Sequence, residues 1–119
     1  MKVYVLLAPG FETIEALTPV DVLHRAKIDV ATVSIAEGLE VESSHGVRVT
    51  ADCVLAGEND LADADLVVLP GGYPGYVNLA SDQRVLAIAR RQWSSGRLLA
   101  AICGAPTVFA AAGIAPGAS

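Results

Sequence analysis

The sequence predicts one α/β domain with a mostly parallel sheet covered by helices on both faces. Three observations predict it. Short apolar runs alternate along the chain with stretches of helical spacing. The 119 residues are 53% hydrophobic but only 5% aromatic, so the core must be Val, Leu, Ile and Ala, the residues of strands buried on both faces. The length suits one domain, residues 1–119, and is too short for two.

Residues 2–8 (KVYVLLA) form an apolar run stopped by Pro9-Gly10 and read as a buried strand. Residues 12–26 carry apolar side chains at Ile14, Leu17, Val20 and Leu23, a helical spacing. Pro19 lies inside it, so a kink, or a restart capped by Thr18, is expected. Residues 29–36 are a second strand. Residues 40–52 alternate weakly around Ser43-Ser44-His45-Gly46 and read as a small hairpin. Residues 61–65 are a short helix or turn. The run 66–69 (LVVL) is a strand entering Pro70-Gly71-Gly72-Tyr73-Pro74-Gly75. Residues 82–93 are an amphipathic helix ending before Gly96, and 97–102 (RLLAAI) a fully buried strand. A turn at 103–106 opens a last helix, 107–112, closed by Gly113. Residues 115–119 are a tail of small residues.

The net charge is −5, and the basic residues are scattered, which excludes a nucleic-acid footprint. The small group Arg84, Arg90, Arg91 and Arg97 reads as a solvated helix face. The apolar N-terminal run is too brief for a secretory signal, and no run approaches a membrane span. Two cysteines without an export signal point to free thiols in a reducing, cytoplasmic setting. Two Cys and two His show no metal-ligand spacing, and no dinucleotide or Walker loop is present, so neither metal nor nucleotide cofactor is implied.

In parallel sheets ligands bind beyond the carboxyl ends of the strands. Three features sit at such ends: residues 9–15, the Pro-Gly-Gly segment, and Cys103. Cys103 follows a strand and precedes a helix, where unpaired N–H groups favour a thiolate; it reads equally well as a small apolar residue closing the strand. Glu15 at the same rim is either an acid sharing a proton with the thiol or a solvated acid in a first helical turn. Glu12 reads as a surface acid. Gly72 and Gly104 could turn N–H groups toward a developing oxyanion, or simply make turns. His24, His45 and Cys53 read as ordinary surface or structural residues.

AICGAP (101–106), LPGG (69–72) and GFETIEALTPVDVLHRA (10–26) together resemble the ThiJ/PfpI superfamily, in its DJ-one-like branch. The resemblance runs over essentially the whole chain with the three motifs in order. It implies a flavodoxin-like three-layer sandwich, with Cys103 as nucleophile in a strained elbow, Glu15 as its acidic partner, and Gly72 and Gly104 as backbone donors. It also implies a homodimer without cofactor. The implied activity is that of a glyoxalase III-type enzyme or deglycase acting on small dicarbonyls such as methylglyoxal. The alternatives are an oxidative-stress sensor or chaperone-like protein using an oxidisable cysteine, and an amidotransferase or cysteine-peptidase relative. From the last the motif departs, lacking Gly-x-Cys-x-Gly. The family histidine is expected beyond Ser119, together with segments that would cover the apolar strand 97–102 and helix 107–113. Without them an apolar surface and a strand edge are expected to lie open.

Overall fold

A computed structural model describes residues 1–57 and 59–114. Seven strands and four helices follow in order: β1 Lys2–Leu7, α1 Thr13–Arg25, β2 Asp29–Ser34, β3 Glu40–Glu42, β4 Arg48–Thr50, β5 Cys53–Val54, β6 Leu66–Leu69, α2 Gly75–Ala80, α3 Gln83–Ser94, β7 Leu98–Ala101 and α4 Thr107–Ala112. Five strands make a sheet in the order β5-β2-β1-β6-β7, every neighbouring pair parallel. β3 and β4 pair antiparallel as the expected hairpin.

β1 is central, so its two faces feed two cores. Val3, Val5 and Leu7 pack with Phe11, Ala16 of α1, and Val41 of the hairpin. Leu6 points the other way, into a cluster with Val67, Leu69, and residues of α2, α3 and α4 such as Leu79, Val85, Ile88 and Val108. Alternation along a strand sends neighbours to opposite faces, and here both faces are covered. That is why the run is apolar throughout. Each fully buried Val or Leu contributes about 1.5–3 kcal/mol. The architecture is an α/β three-layer sandwich of flavodoxin-like type, as expected. None of the described helices is long and apolar enough to cross a membrane.

Several sequence expectations are corrected. α1 is one helix through Pro19, so the restart capped by Thr18 is not found. Its N-cap is Glu12, whose carboxylate accepts the N–H of Ile14 at 2.9 Å and of Glu15 at 3.0 Å. Packing of the inner face outweighs the roughly 3 kcal/mol that an internal proline costs. β2 ends at Ser34 rather than residue 36, because Ser34 Oγ donates to Gly38 O and accepts from the Ala36 N–H, turning the chain. Of the two readings of residues 61–65, helix or turn, the turn is the one found. β7 is only partly buried, with Leu98 55% exposed, while its place at the sheet edge among the described residues is the open edge expected there. The tail 115–119 lies outside the described residues.

The arginine group is not simply solvated. Arg84 donates to Leu55 O and Ile35 O and pairs with Asp82 at 2.6 Å. Arg90 donates to Ala112 O, Arg91 to Asp60 O, and Arg97 to Ala62 O and Ala64 O. Each guanidinium supplies several donors in a fixed fork, and these forks tie α3 and the start of β7 to neighbouring turns and to the end of α4. Burial pushes the Asp82 carboxyl up, but the hydrogen bonds and charge of Arg84 with the Val85 N–H together hold it below its ordinary value; the pairing with Asp82 raises Arg84.

Candidate functional site

Three connections gather at the carboxyl end of the sheet: β1 to α1, β6 to α2, and β7 to α4. Main-chain bonds lock the first two together and to the hairpin. Glu12 N donates to Gly71 O at 2.9 Å and Gly75 N to Gly10 O at 3.2 Å. Gly10 N donates to Glu42 O and Ser44 N to Phe11 O, so the β3–β4 hairpin seats on the same loop. Asn78 adds a side-chain bond, from Nδ2 to Pro9 O at 2.8 Å.

Cys103 lies in the turn between β7 and α4, exposed, with φ 58°. An L-residue in that left-handed region costs about 1–2 kcal/mol. The strained elbow is therefore present. As expected, the turn 103–106 stands between Cys103 and α4, which starts at Thr107. The turn is closed by Thr107, whose N–H and hydroxyl both donate to Gly104 O, at 3.2 and 2.8 Å.

Glu15 comes to the same place. Its Oε1 accepts the Gly71 N–H at 3.1 Å, while Oε2 has no hydrogen-bond partner among the described residues. A Cβ on Gly71 would sit 2.5 Å from Glu15 Oε1, 2.8 Å from Cys103 Cβ and 2.9 Å from Ile102 O. One bare α-carbon thus separates the carboxylate from the cysteine. Gly71 was not singled out from sequence, although it stands beside Gly72. The N–H groups of Gly72 and Gly104 meet no acceptor among the described residues.

Tyr76 was also missed. Its ring lies on Gly104: a Cβ there would be 2.7 Å from Cε2 and 2.8 Å from Cδ2. Tyr73 stands edge-on to it, ring centroids 6.0 Å apart and planes at 63°. The signal was available in the two aromatics of the segment after LPGG, in a chain with few. His24 is exposed on α1, and His45 is exposed in the hairpin with Nδ1 3.2 Å from Ser44 Oγ. Neither is hydrogen-bonded to Cys103 or Glu15. Among the described residues no cluster of three His, Cys, Asp or Glu could hold a metal.

Cys53 is on the edge strand β5, far around the sheet from β7. Burial, then the Asp52 and Asp60 carboxylates, push its thiol above the ordinary value. Fewer Cys53 side chains are therefore thiolate at neutral pH, and the fraction keeps rising into alkaline solution. With iodoacetamide at pH 7.5, Cys103 is expected to be modified at least several-fold faster than Cys53. Peptide mass spectrometry at successive times and pH values reads this. Equal rates with equal pH dependence would contradict it.

A family model described as the DJ-1/PfpI family matches residues 1–119. DJ-1 homolog B of Arabidopsis thaliana is 38% identical over 109 residues, covering 90% of this chain and 24% of its own. The deglycase TK1284 of Thermococcus kodakarensis is 34% identical over 120 residues, 98% of this chain and 69% of its own. A crystal structure of the C103A mutant of a DJ-1 superfamily protein from Salmonella typhimurium superposes with TM-score 0.88 at 44% identity, covering 95% of this chain and 61% of that one. The chain thus spans about a quarter of the Arabidopsis protein and under two thirds of the Salmonella one.

Proposed function

This chain belongs to the DJ-1/PfpI family, and from that premise we propose that the full-length protein is a cysteine-dependent, cofactor-free glyoxalase or deglycase acting on small dicarbonyls such as methylglyoxal. The observation that carries this is the approach of Cys103 Cβ and Glu15 Oε1 to the same point, the place that a side chain on Gly71 would take. A nucleophile and a proton carrier a few ångströms apart are what the reaction needs.

In the proposed sequence, Cys103 Sγ bonds to the aldehyde carbon, and the thiol proton ends on the former aldehyde oxygen by way of Glu15. The Gly72 and Gly104 N–H groups stabilise the charge on that oxygen as it forms. Glu15 then takes the hydrogen from that carbon as a proton and passes it to the ketone oxygen, giving an enediol; it next takes the proton of the hydroxyl on the former aldehyde carbon and delivers it to the neighbouring carbon. The result is a lactyl thioester. Water cleaves it, releasing lactate and the free thiol. One water is consumed and no electrons leave the substrate, so no external oxidant or reductant is required.

The test is lactate formation from methylglyoxal by the full-length protein without added glutathione, metal or nucleotide. Steady production of lactate supports the reading, and none overturns it. A second reading, an oxidisable sensor, is favoured by the exposure of Cys103. There two equivalents of a peroxide would oxidise the thiol to a sulfinate, each releasing its reduced alcohol or water, the same N–H groups would hold that sulfinate, and methylglyoxal would not be turned over. The exposed Ile14 and Val22, two turns apart on one face of α1, support a homodimer. Two free thiols support a reducing, cytoplasmic setting.

A further inference from the structure

We propose that Tyr73 and Tyr76 form an aromatic corner beside Cys103 that receives the substituent of the substrate, so that α-oxoaldehydes bearing a flat unsaturated group are preferred to methylglyoxal. This deepens, and rests on, the dicarbonyl reading above.

Tyr76 supplies the fixed wall. Its ring touches the α-carbon of Gly104, the residue next to the nucleophile. It is partly buried against the larger core cluster, and its N–H donates to Gly72 O at 2.9 Å. The ring therefore keeps its place relative to the elbow. Tyr73 supplies the open wall. It lies two residues past Gly71, on the loop whose α-carbon meets Cys103 Cβ. It is 71% exposed, level with Ile14 at the top of the exposed large apolar residues described.

The two rings stand at 63°. They meet edge to face instead of stacking, so the ring surface outside that contact stays open to a third flat group, most of all on Tyr73, which is exposed. Aromatic rings pair well edge-to-face or offset, and a phenyl entering the corner can satisfy one ring or both. A methyl can do neither. The opposing explanation is that Tyr73 merely props Tyr76. A prop would change stability and all substrates alike, without distinguishing a phenyl from a methyl.

The experiment compares kcat/KM for phenylglyoxal and methylglyoxal in the full-length protein and in Tyr73→Ala, Tyr73→Leu and Tyr73→Phe. Phenylglyoxal is hydrated and isomerised to mandelate by the same balanced steps. The wild type is expected to favour phenylglyoxal about tenfold, the upper range of a ring-on-ring contact. Tyr73→Ala should carry that ratio toward one, through a raised KM for phenylglyoxal. Tyr73→Leu, which keeps apolar bulk without a flat face, should do the same, and Tyr73→Phe should restore the ratio. An unchanged ratio in Tyr73→Ala and Tyr73→Leu, with both substrates still converted, overturns the aromatic corner and leaves the dicarbonyl reading standing. No conversion of either substrate by the wild type overturns both.

Discussion

Replacing Cys103 by Ser is expected to lower methylglyoxal turnover by at least about a thousandfold while leaving the fold intact. A serine hydroxyl is almost wholly protonated near neutral pH, and it is a far weaker nucleophile than a thiol. The shape hardly changes. The side chain is exposed, and the strained φ of 58° belongs to the backbone, which the substitution retains. Stability should therefore move by less than about 1 kcal/mol, the usual range for an exposed site away from caps and cores. Lactate production and a urea unfolding midpoint, measured on the same preparation, read both halves. Turnover within tenfold of wild type in a folded Cys103→Ser protein would remove the cysteine from the chemistry.

Gly71→Ala should be nearly as damaging to activity, and unlike Cys103→Ser it should also weaken the fold. The added methyl would come 2.5 Å from Glu15 Oε1, 2.8 Å from Cys103 Cβ and 2.9 Å from Ile102 O. Glu15 can swing away, but Cys103 Cβ and the Ile102 carbonyl are fixed to neighbouring backbone in the connection after β7 and must move together. Displacing reacting groups by an ångström can cost about a hundredfold in rate, and overpacking costs about 1–3 kcal/mol. The Gly71 N–H that Glu15 accepts would be displaced as well. Activity and unfolding midpoint together distinguish this from loss of the Cys103 thiol, because only Gly71→Ala should lower both. A variant with unchanged midpoint and turnover would mean that Glu15 and Cys103 are not held against this α-carbon.

The parts legible in the sequence were those with a local signature. The β1 run, the hairpin at Ser43–Gly46, the α3 amphipathic spacing and the strand-turn-helix around Cys103 each appear near the expected residues. α2 was missed because Gly75–Ala80 is only six residues, starts with glycine and is too short to show a period. Pro19 misled because its local cost is visible and the packing that outweighs it is not. β7 was read as fully buried because both faces of RLLAAI are apolar, whereas edge or centre depends on sheet order. The arginines were read by charge, yet their partners are carbonyl oxygens, which no sequence pattern marks. At the site, Cys103, Glu15 and Gly72 could be nominated by motif. That Gly71 is where the carboxylate meets the cysteine required coordinates.

The frame of the rim has a consequence for how such a site can change over generations. Four bonds seat its segments on one another: Gly10 to Glu42, Ser44 to Phe11, Glu12 to Gly71 and Gly75 to Gly10. All four run from main chain to main chain. Alanine at Glu12 would report only the lost helix cap, and at Glu42 or Ser44 it would delete a side chain and leave those bonds in place, so a scan there would stay blind to the frame. Proline at Ser44 or Glu12, which removes the donor itself, is the substitution that exposes it. Drift can therefore re-equip the mouth with new side chains, Tyr73 among them, without disturbing the frame that presents Cys103.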